Sequence, residues 1–305
     1  MVIDGRTIQL PRAVARIYPF KSHFMNSNGL AYHYLDEGNG DPVIMLHGNP
    51  TWSFFYRELV KSLSPAYRVL VPDHIGCGLS TKPPATHYGY QLRDRVNDLG
   101  RFIDQLNLDR RITLVLHDWG GMIGMAWAID HVERVGRIII LNTASFFPPG
   151  GKRLPRRLEW VRNLKHLAPW AVLGLNLFAV AAVYMAPCRP LSSDIRTGYL
   201  APYNRPANRI ATLRFVQDIP LVESDPSYAM VSRVQANLHL LSEKPMLVCW
   251  GGRDFVFDRD YLTEWQRRFP HAQTHLFDDA GHYVLEDASE RIIPLVRSFL
   301  QKKSV

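Results

Sequence analysis

The segment Leu114-Val-Leu-His-Asp-Trp-Gly-Gly121 holds the decisive pattern: an apolar run ending in His117, a carboxylate at Asp118, and a Trp-Gly-Gly stretch that opens a helical pattern. A strand running straight into a helix through one sharp turn presents the residue at the turn, the arrangement of a nucleophile elbow. Glycine behind the turn permits the bend. Elbows of this kind usually carry a small residue two positions before the nucleophile, and Leu116 departs from that pattern. A helix N-cap is the competing reading of Asp118, so the remainder of the chain has to decide.

On both sides of this segment, short β-rich runs alternate with amphipathic stretches. Strands are predicted over 29–36, 42–46 and 68–72, followed by a helix over 91–106. A strand over 112–117, a helix over 120–130 and a strand over 137–141 continue the series. Two more strands, 245–250 and 274–277, and an amphipathic helix over 292–300 end it. Continuous apolar runs suit strands buried on both faces, and the alternation predicts a mostly parallel sheet with helices on both sides. Between about 145 and 241 the strand signal vanishes and Pro, Arg, Leu, Ala and Tyr dominate. The predicted organisation is an α/β core over 1–146, an inserted helical cap over 147–241, and the rest of the core over 242–305.

The bulk composition fits that plan. The chain has 305 residues, 47% hydrophobic and 21% charged, enough for one large domain with an insertion. Its 36 Lys and Arg against 28 Asp and Glu give a net charge of +8, compatible in principle with nucleic acid or an anionic surface. No zinc-finger spacing, RNA-binding signature or Gly-rich phosphate loop accompanies the charge, so no nucleic-acid partner is expected. No metal site and no cofactor are expected either. Cys77, Cys188 and Cys249 are odd in number and unpaired in spacing, which suits a reducing compartment. The first residues lack the pattern of a secretory leader, and the cytoplasm is the expected location.

The partners of Asp118 fall in the chain order nucleophile, acid, histidine. A carboxylate nucleophile attacks saturated carbon without first losing a proton and becomes an ester. His282, in Asp278-Asp-Ala-Gly-His-Tyr283 after the last strand, is placed to activate water against that ester. Asp254, in Trp250-Gly-Gly-Arg-Asp254, would bind the other imidazole nitrogen and fix its tautomer, with Asp258 as the competing candidate. The loop His47-Gly-Asn-Pro-Thr-Trp52 occupies the position of an oxyanion loop. The amide of Asn49 and the indole N–H of Trp119, which donates but never accepts, would converge on a halide leaving group. Plain packing is the other reading of Trp119.

At these residues the chain resembles the haloalkane dehalogenase family of the α/β-hydrolase superfamily. His47-Gly-Asn-Pro-Thr-Trp52, Pro72-Asp-His-Ile-Gly-Cys-Gly-Leu-Ser80, His117-Asp-Trp-Gly-Gly121 and Gly281-His282 all look like its motifs. The resemblance spans essentially the whole chain. It implies the α/β-hydrolase fold, displacement of halide by Asp118, and hydrolysis of the alkyl-enzyme ester by water activated by His282 and Asp254. Halide would sit between Asn49 and Trp119. In one branch of the family the acid follows the strand before the cap, where this chain has Leu141-Asn142-Thr143 and no carboxylate, which leaves Asp254.

The stretches 141–147, 198–203 and 209–218 look like the third dehalogenase subfamily, which is itself similar to the β-lactone decarboxylases of long-chain olefin biosynthesis. Those enzymes act on cis-3,4-dialkyl-oxetan-2-ones with the same Asp, His and Asp set. Dehalogenation of a small apolar haloalkane is the first reading, and decarboxylation of a dialkyl β-lactone is the alternative. Epoxide hydrolysis ranks lower, because its ring-opening tyrosines match only loosely at Tyr184, Tyr199 or Tyr203. A non-catalytic binding protein ranks lowest.

From Leu167 to Cys188 there is no charged residue, a span long enough to cross a bilayer. Pro169, Gly174 and Asn176 argue instead for cap helices lining an apolar pocket. Lys152, Arg153, Arg156, Arg157, Arg162 and Lys165 precede the span. Self-association to a homo-oligomer is expected, as is contact of this basic and apolar cap with a membrane surface or a partner enzyme.

Overall fold

The computed structural model describes residues 10–164 and 166–302, together with the backbone of Val2–Ile3 and Arg6–Thr7. Lys165 of the basic cluster, and Met1, Asp4 and Gly5 of the N-terminal stretch, lie outside the described residues.

Eight strands form the central sheet: β1 Ser22–Ser27, β2 Leu30–Glu37, β3 Pro42–Leu46, β4 Arg68–Pro72, β5 Ile112–His117, β6 Val135–Leu141, β7 Met246–Gly251 and β8 Gln273–Phe277. Their order is β8-β7-β6-β5-β3-β4-β2-β1. The pairings of β2 with β1 and β4 are antiparallel, and the others are parallel. Every residue of β3, β5 and β7 is buried, as continuous apolar runs sandwiched between helix layers require.

The expected strands 42–46, 68–72 and 112–117 have the observed bounds, and the others agree to within two residues. β1 was not anticipated. Its sequence, Ser-His-Phe-Met-Asn-Ser, lies half-buried on the sheet edge and lacks a run of apolar residues. The last helix begins at Val284 instead of 292. Its first turn carries Glu286 and Asp287, which broke the apolar period, yet Asp287 is buried. Its carboxylate accepts the N–H groups of Cys188, Arg189 and Gly281 at 2.8–2.9 Å, tying the loop before His282 to the segment inserted between β6 and β7.

Among the described residues that insert is helical, including α1 Arg156–Asn163, α2 Leu177–Met185, α3 Ser193–Leu200 and α4 Ile210–Gln217. No single helix is long and apolar enough to cross a membrane. Leu167–Gly174 and Leu177–Met185 meet the length and composition together, but the chain bends by 70° between them. The bend is made at Asn176, whose φ is 57°. Arg209 fixes it by donating to the carbonyls of Leu173 and Gly174 at 2.7 and 2.8 Å.

Between β5 and the helix Trp119–Ala128, Asp118 takes φ 50° and ψ −127°, a conformation that costs a non-glycine residue free energy and persists only where its surroundings impose it. Its carbonyl accepts from Gly121 N at 3.0 Å and from the Thr143 hydroxyl, and its N–H donates to Asn142 O at 3.2 Å. A Cβ on Gly120 would lie 2.0 Å from the Leu46 carbonyl oxygen, so glycine lets the helix press against β3. The unusual Leu116 also finds its reason here. A Cβ on Gly124 would lie 2.5 Å from Leu116 Cδ2, so the space normally left by a small residue in the strand is supplied by the helix. Gly120→Ala collides with backbone and not with a side chain that can rotate away. It is expected to lower the unfolding free energy by about 1–3 kcal/mol or more in a urea titration, and an unchanged midpoint would contradict this packing.

Candidate active site

The strand ends and loops on one side of the sheet bring the sequence candidates together. His282 Nδ1 lies 2.8 Å from Asp254 Oδ2, and His282 Nε2 lies 3.7 Å from Asp118 Oδ2. All three side chains are buried. The expected sequence of acid, base and nucleophile is thus a spatial line. Asp258, the competitor of Asp254, instead caps the helix Arg259–Arg268 and pairs with Lys152 on the surface.

The two oxygens of Asp118 are not equivalent. Oδ1 accepts the backbone N–H of Asn49 at 2.6 Å, and the backbone N–H of Trp119 also donates to the carboxylate. Oδ2 lies 3.7 Å from the imidazole, beyond hydrogen-bond range. Oδ1 is thus held by a backbone donor, and Oδ2 faces the imidazole. Burial pushes the carboxyl up, opposed by His282 and by the two N–H groups, and the net displacement is upward from the ordinary value.

Burial alone would depress His282. Asp254 and, less strongly, Asp118 more than offset that penalty, so its pKa lies above the ordinary 6.5. Asp254 is positioned by three donors besides the imidazole: Val256 N at 2.7 Å, Phe257 N at 3.1 Å and Asn142 Nδ2 at 3.0 Å. Asn142 also accepts from Gly251 N at 2.7 Å and donates to Gly251 O at 3.1 Å, locking the end of β6 to the end of β7. Sequence reading noted position 142 only for lacking a carboxylate. Its amide serves the carboxylate one strand away.

The loop His47–Trp52 is stitched to the insert at three points. Asn49 Nδ2 donates to Thr212 O at 3.0 Å, Trp52 Nε1 to Gly198 O at 3.0 Å, and Tyr203 Oη to Thr51 O at 3.4 Å. Asn49 thus spends one amide hydrogen on the insert. Behind Trp119, the buried guanidinium of Arg95 lies 3.6 Å from the ring of Phe215 and 5.9 Å from the indole. Neither Thr212 nor Arg95 carried a signal in the sequence, because both act through contacts distant along the chain.

Asp73, in the motif after β4, is structural. Its carboxylate accepts from Ser53 N at 2.7 Å and Leu79 N at 2.8 Å and faces His33 Nδ1 at 2.8 Å. Burial raises its pKa, but His33, His47 and the backbone donors outweigh burial and hold it well below the usual carboxylate range.

Asp118, His282, Asn49 and Trp119 all line one cavity of about 630 Å³ between the sheet and the insert. Phe147, Leu177, Phe178, Ala182, Val216 and Ile219 make most of the remaining wall apolar. None of Tyr184, Tyr199 and Tyr203 lines it. Tyr199 donates to Glu286, Tyr203 to Thr51, and Tyr184 is 66% exposed. Among the described residues, no group of three or more His, Cys, Asp or Glu side chains is arranged to hold a metal ion.

A strand-elbow-helix nucleophile on a mostly parallel eight-stranded sheet is matched by the profile described as alpha/beta hydrolase fold, over residues 41–289. The chain belongs to that family. A cis-3-alkyl-4-alkyloxetan-2-one decarboxylase of Shewanella oneidensis is 50% identical over 285 residues, covering 93% of this chain and 89% of that protein. Haloalkane dehalogenase 2 of Mycobacterium tuberculosis is 32% identical over 281 residues, 91% of this chain and 94% of that one. Among solved structures, a haloalkane dehalogenase of Agrobacterium tumefaciens superposes with a TM-score of 0.80 at 25% identity, covering 92% of this chain and 96% of that one.

The geometry fixes a pH dependence. Hydrolysis of an ester on Asp118 by water that gives its proton to His282 would need the neutral imidazole, so bromoalkane hydrolysis by that route would slow as pH drops through a midpoint above 6.5. Asp254→Asn removes the main raising influence. For that hydrolysis it should lower kcat and move the acid limb to lower pH, and a limb that stays in place would assign it to another group.

Proposed function

We propose that this enzyme is a β-lactone decarboxylase, converting cis-3,4-dialkyl-oxetan-2-ones to cis-alkenes and CO2 through an ester on Asp118. The observation that carries this reading is the 50% identity, over 93% of the chain, to a protein named for that reaction. The cavity supports it. Its volume of about 630 Å³ and apolar wall suit a substrate with two alkyl arms.

In the proposed reaction Asp118 Oδ2 attacks ring carbon C4 from the side opposite the ring oxygen. The C4–O1 bond breaks, the Asp118–C4 ester bond forms, and the carbonyl carbon C2 becomes a carboxylate on C3. Inversion at C4 leaves the new ester oxygen antiperiplanar to the C3–C2 bond. The electron pair of that bond then forms the C3=C4 double bond, C2 departs as CO2, and Asp118 leaves as a free carboxylate. Inversion followed by anti elimination keeps the two alkyl groups on one side, so a cis-lactone gives a cis-alkene. Atoms and charge balance without water or proton.

Each group has a part in that sequence. Asn49 and Trp119, placed at the sequence level for a halide, would bind the carboxylate leaving group, an anion of the same charge formed at the same point. The Asn49 N–H on Oδ1 polarises the ester, which makes Asp118 a better leaving group in the second step. His282, favoured in its charged form by Asp254, stabilises the carboxylate of Asp118 on both sides of the reaction. Residues 147–241 act as the cap that closes the cavity. The three free thiols suit a cytoplasmic enzyme.

Haloalkane dehalogenation is the second reading, favoured by the relative at 32% identity and by the same donors. The two differ in the fate of water. With enzyme in excess over substrate in H₂¹⁸O, a dialkyl β-lactone should give alkene and CO2 with no label in Asp118. A bromoalkane hydrolysed through the ester should leave ¹⁸O in Asp118 and release bromide. Alkene formation without label supports the proposal. Bromide release with label, and no alkene from the lactone, would overturn it.

A further inference from the structure

We propose that the mouth of the substrate cavity docks on an anionic lipid bilayer, so that the insert takes its substrate from the membrane. Trp160 and Leu177 both line the cavity yet stay 44% and 49% exposed, which marks the place where the cavity opens to the surface. Next to that opening, Leu167, Trp170, Leu175 and Tyr184 are 57%, 63%, 50% and 66% exposed. Most of the large exposed apolar side chains among the described residues therefore fall within 160–184. Leu167, Trp170, Leu175, Leu177 and Tyr184 lie on or between the two segments, Leu167–Gly174 and Leu177–Met185, that meet at a 70° bend, and neither is by itself long and apolar enough to cross a bilayer.

Charge selects the occupant. Arg153, Arg156 and Arg157 are exposed and make no ion pair among the described residues. Glu159 is the sole carboxylate in the sequence between Lys152 and Arg189. Arg156 and Arg157 line the cavity mouth themselves, and Arg157 Nη1 donates to Met185 Sδ at 3.2 Å, which joins the basic helix α1 to the apolar helix α2. Apolar and aromatic side chains beside a basic cluster match the interface of a bilayer bearing negative headgroups. A twofold contact between copies would set this patch against itself and bring the arginines face to face, so self-association is the poorer explanation of the same surface.

Docking stands on the surface alone. The delivery of substrate rests on the proposed reading that the substrate is a dialkyl lactone, too apolar to diffuse freely through water. On a membrane, such a molecule would pass from lipid to Asp118 through the mouth without a water-exposed step.

The test uses the full chain with vesicles of phosphatidylcholine alone and of phosphatidylcholine with phosphatidylglycerol. Co-sedimentation is expected with the anionic vesicles only, weakening as salt is raised. The double variant Leu167→Ser/Trp170→Ser and the single variant Arg153→Gln, none of which lines the cavity, should each reduce partitioning, the former by roughly tenfold or more. Quenching of tryptophan fluorescence by brominated lipid should appear in the wild type and shrink in Trp170→Phe. Equal partitioning onto both vesicle types, or none, would overturn the proposal. So would a dimer in light scattering that the Leu167 and Trp170 substitutions dissolve, because the face would then belong to a second copy. Turnover of a short-chain, water-soluble lactone by the wild type, measured without vesicles, separates the two ideas. Alkene without vesicle binding removes the docking alone, and vesicle binding without alkene removes the lactone reading alone.

Discussion

A carboxylate that must attack carbon has to be buried, ionised and left with one oxygen unsatisfied, three demands that oppose one another. Burial favours the neutral acid, and hydrogen bonds that restore the charge also occupy the lone pairs needed for attack. The structure resolves the conflict by treating the two oxygens of Asp118 differently. Oδ1 accepts the backbone N–H of Asn49, the Trp119 N–H also donates to the carboxylate, and Oδ2 lies 3.7 Å from the His282 imidazole. Asp118 holds a positive φ at this turn and lines the cavity. Gly120 and Gly124, the Thr143 hydroxyl and the Asn142 carbonyl exist around that turn to make it affordable.

The insert is tied to the catalytic loop and does not merely cover it. Three hydrogen bonds run from 198–212 to His47–Trp52, and Asp287 joins the segment at 188–189 to the loop before His282. The insert is therefore coupled both to the loop that carries Asn49 and to the loop before His282. The division of labour follows: strand ends supply the chemistry, and the insert supplies the shape and polarity of the cavity.

Much of this was legible in the sequence because it is local. β3, β4 and β5 are continuous apolar runs, and Asp118, His282 and Asp254 each lie in a loop that immediately follows a strand. What escaped was non-local or unpatterned. β1 has no apolar period. The helix from Val284 hides its first turn behind a buried Asp287, whose polar side chain reads as surface but serves backbone donors. Asn142, Thr212 and Arg95 act on residues far along the chain, so no window of sequence contains both partners. Leu116 reads as a departure from the elbow pattern until Gly124 is seen opposite it.

In the proposed account halide and carboxylate are both anions leaving carbon under attack by the same oxygen, which fits a chain whose relatives are named for two reactions. Covalent attack by Asp118 is the step that the proposed account makes common to both. It is tested most directly by mixing His282→Ala with a 1-bromoalkane, stopping in acid and mapping the digested protein by mass spectrometry. The account predicts one added alkyl group on the peptide bearing Asp118, retained because no neutral imidazole activates water against it. Release of bromide with Asp118 unmodified, or with the alkyl group on another residue, would contradict it.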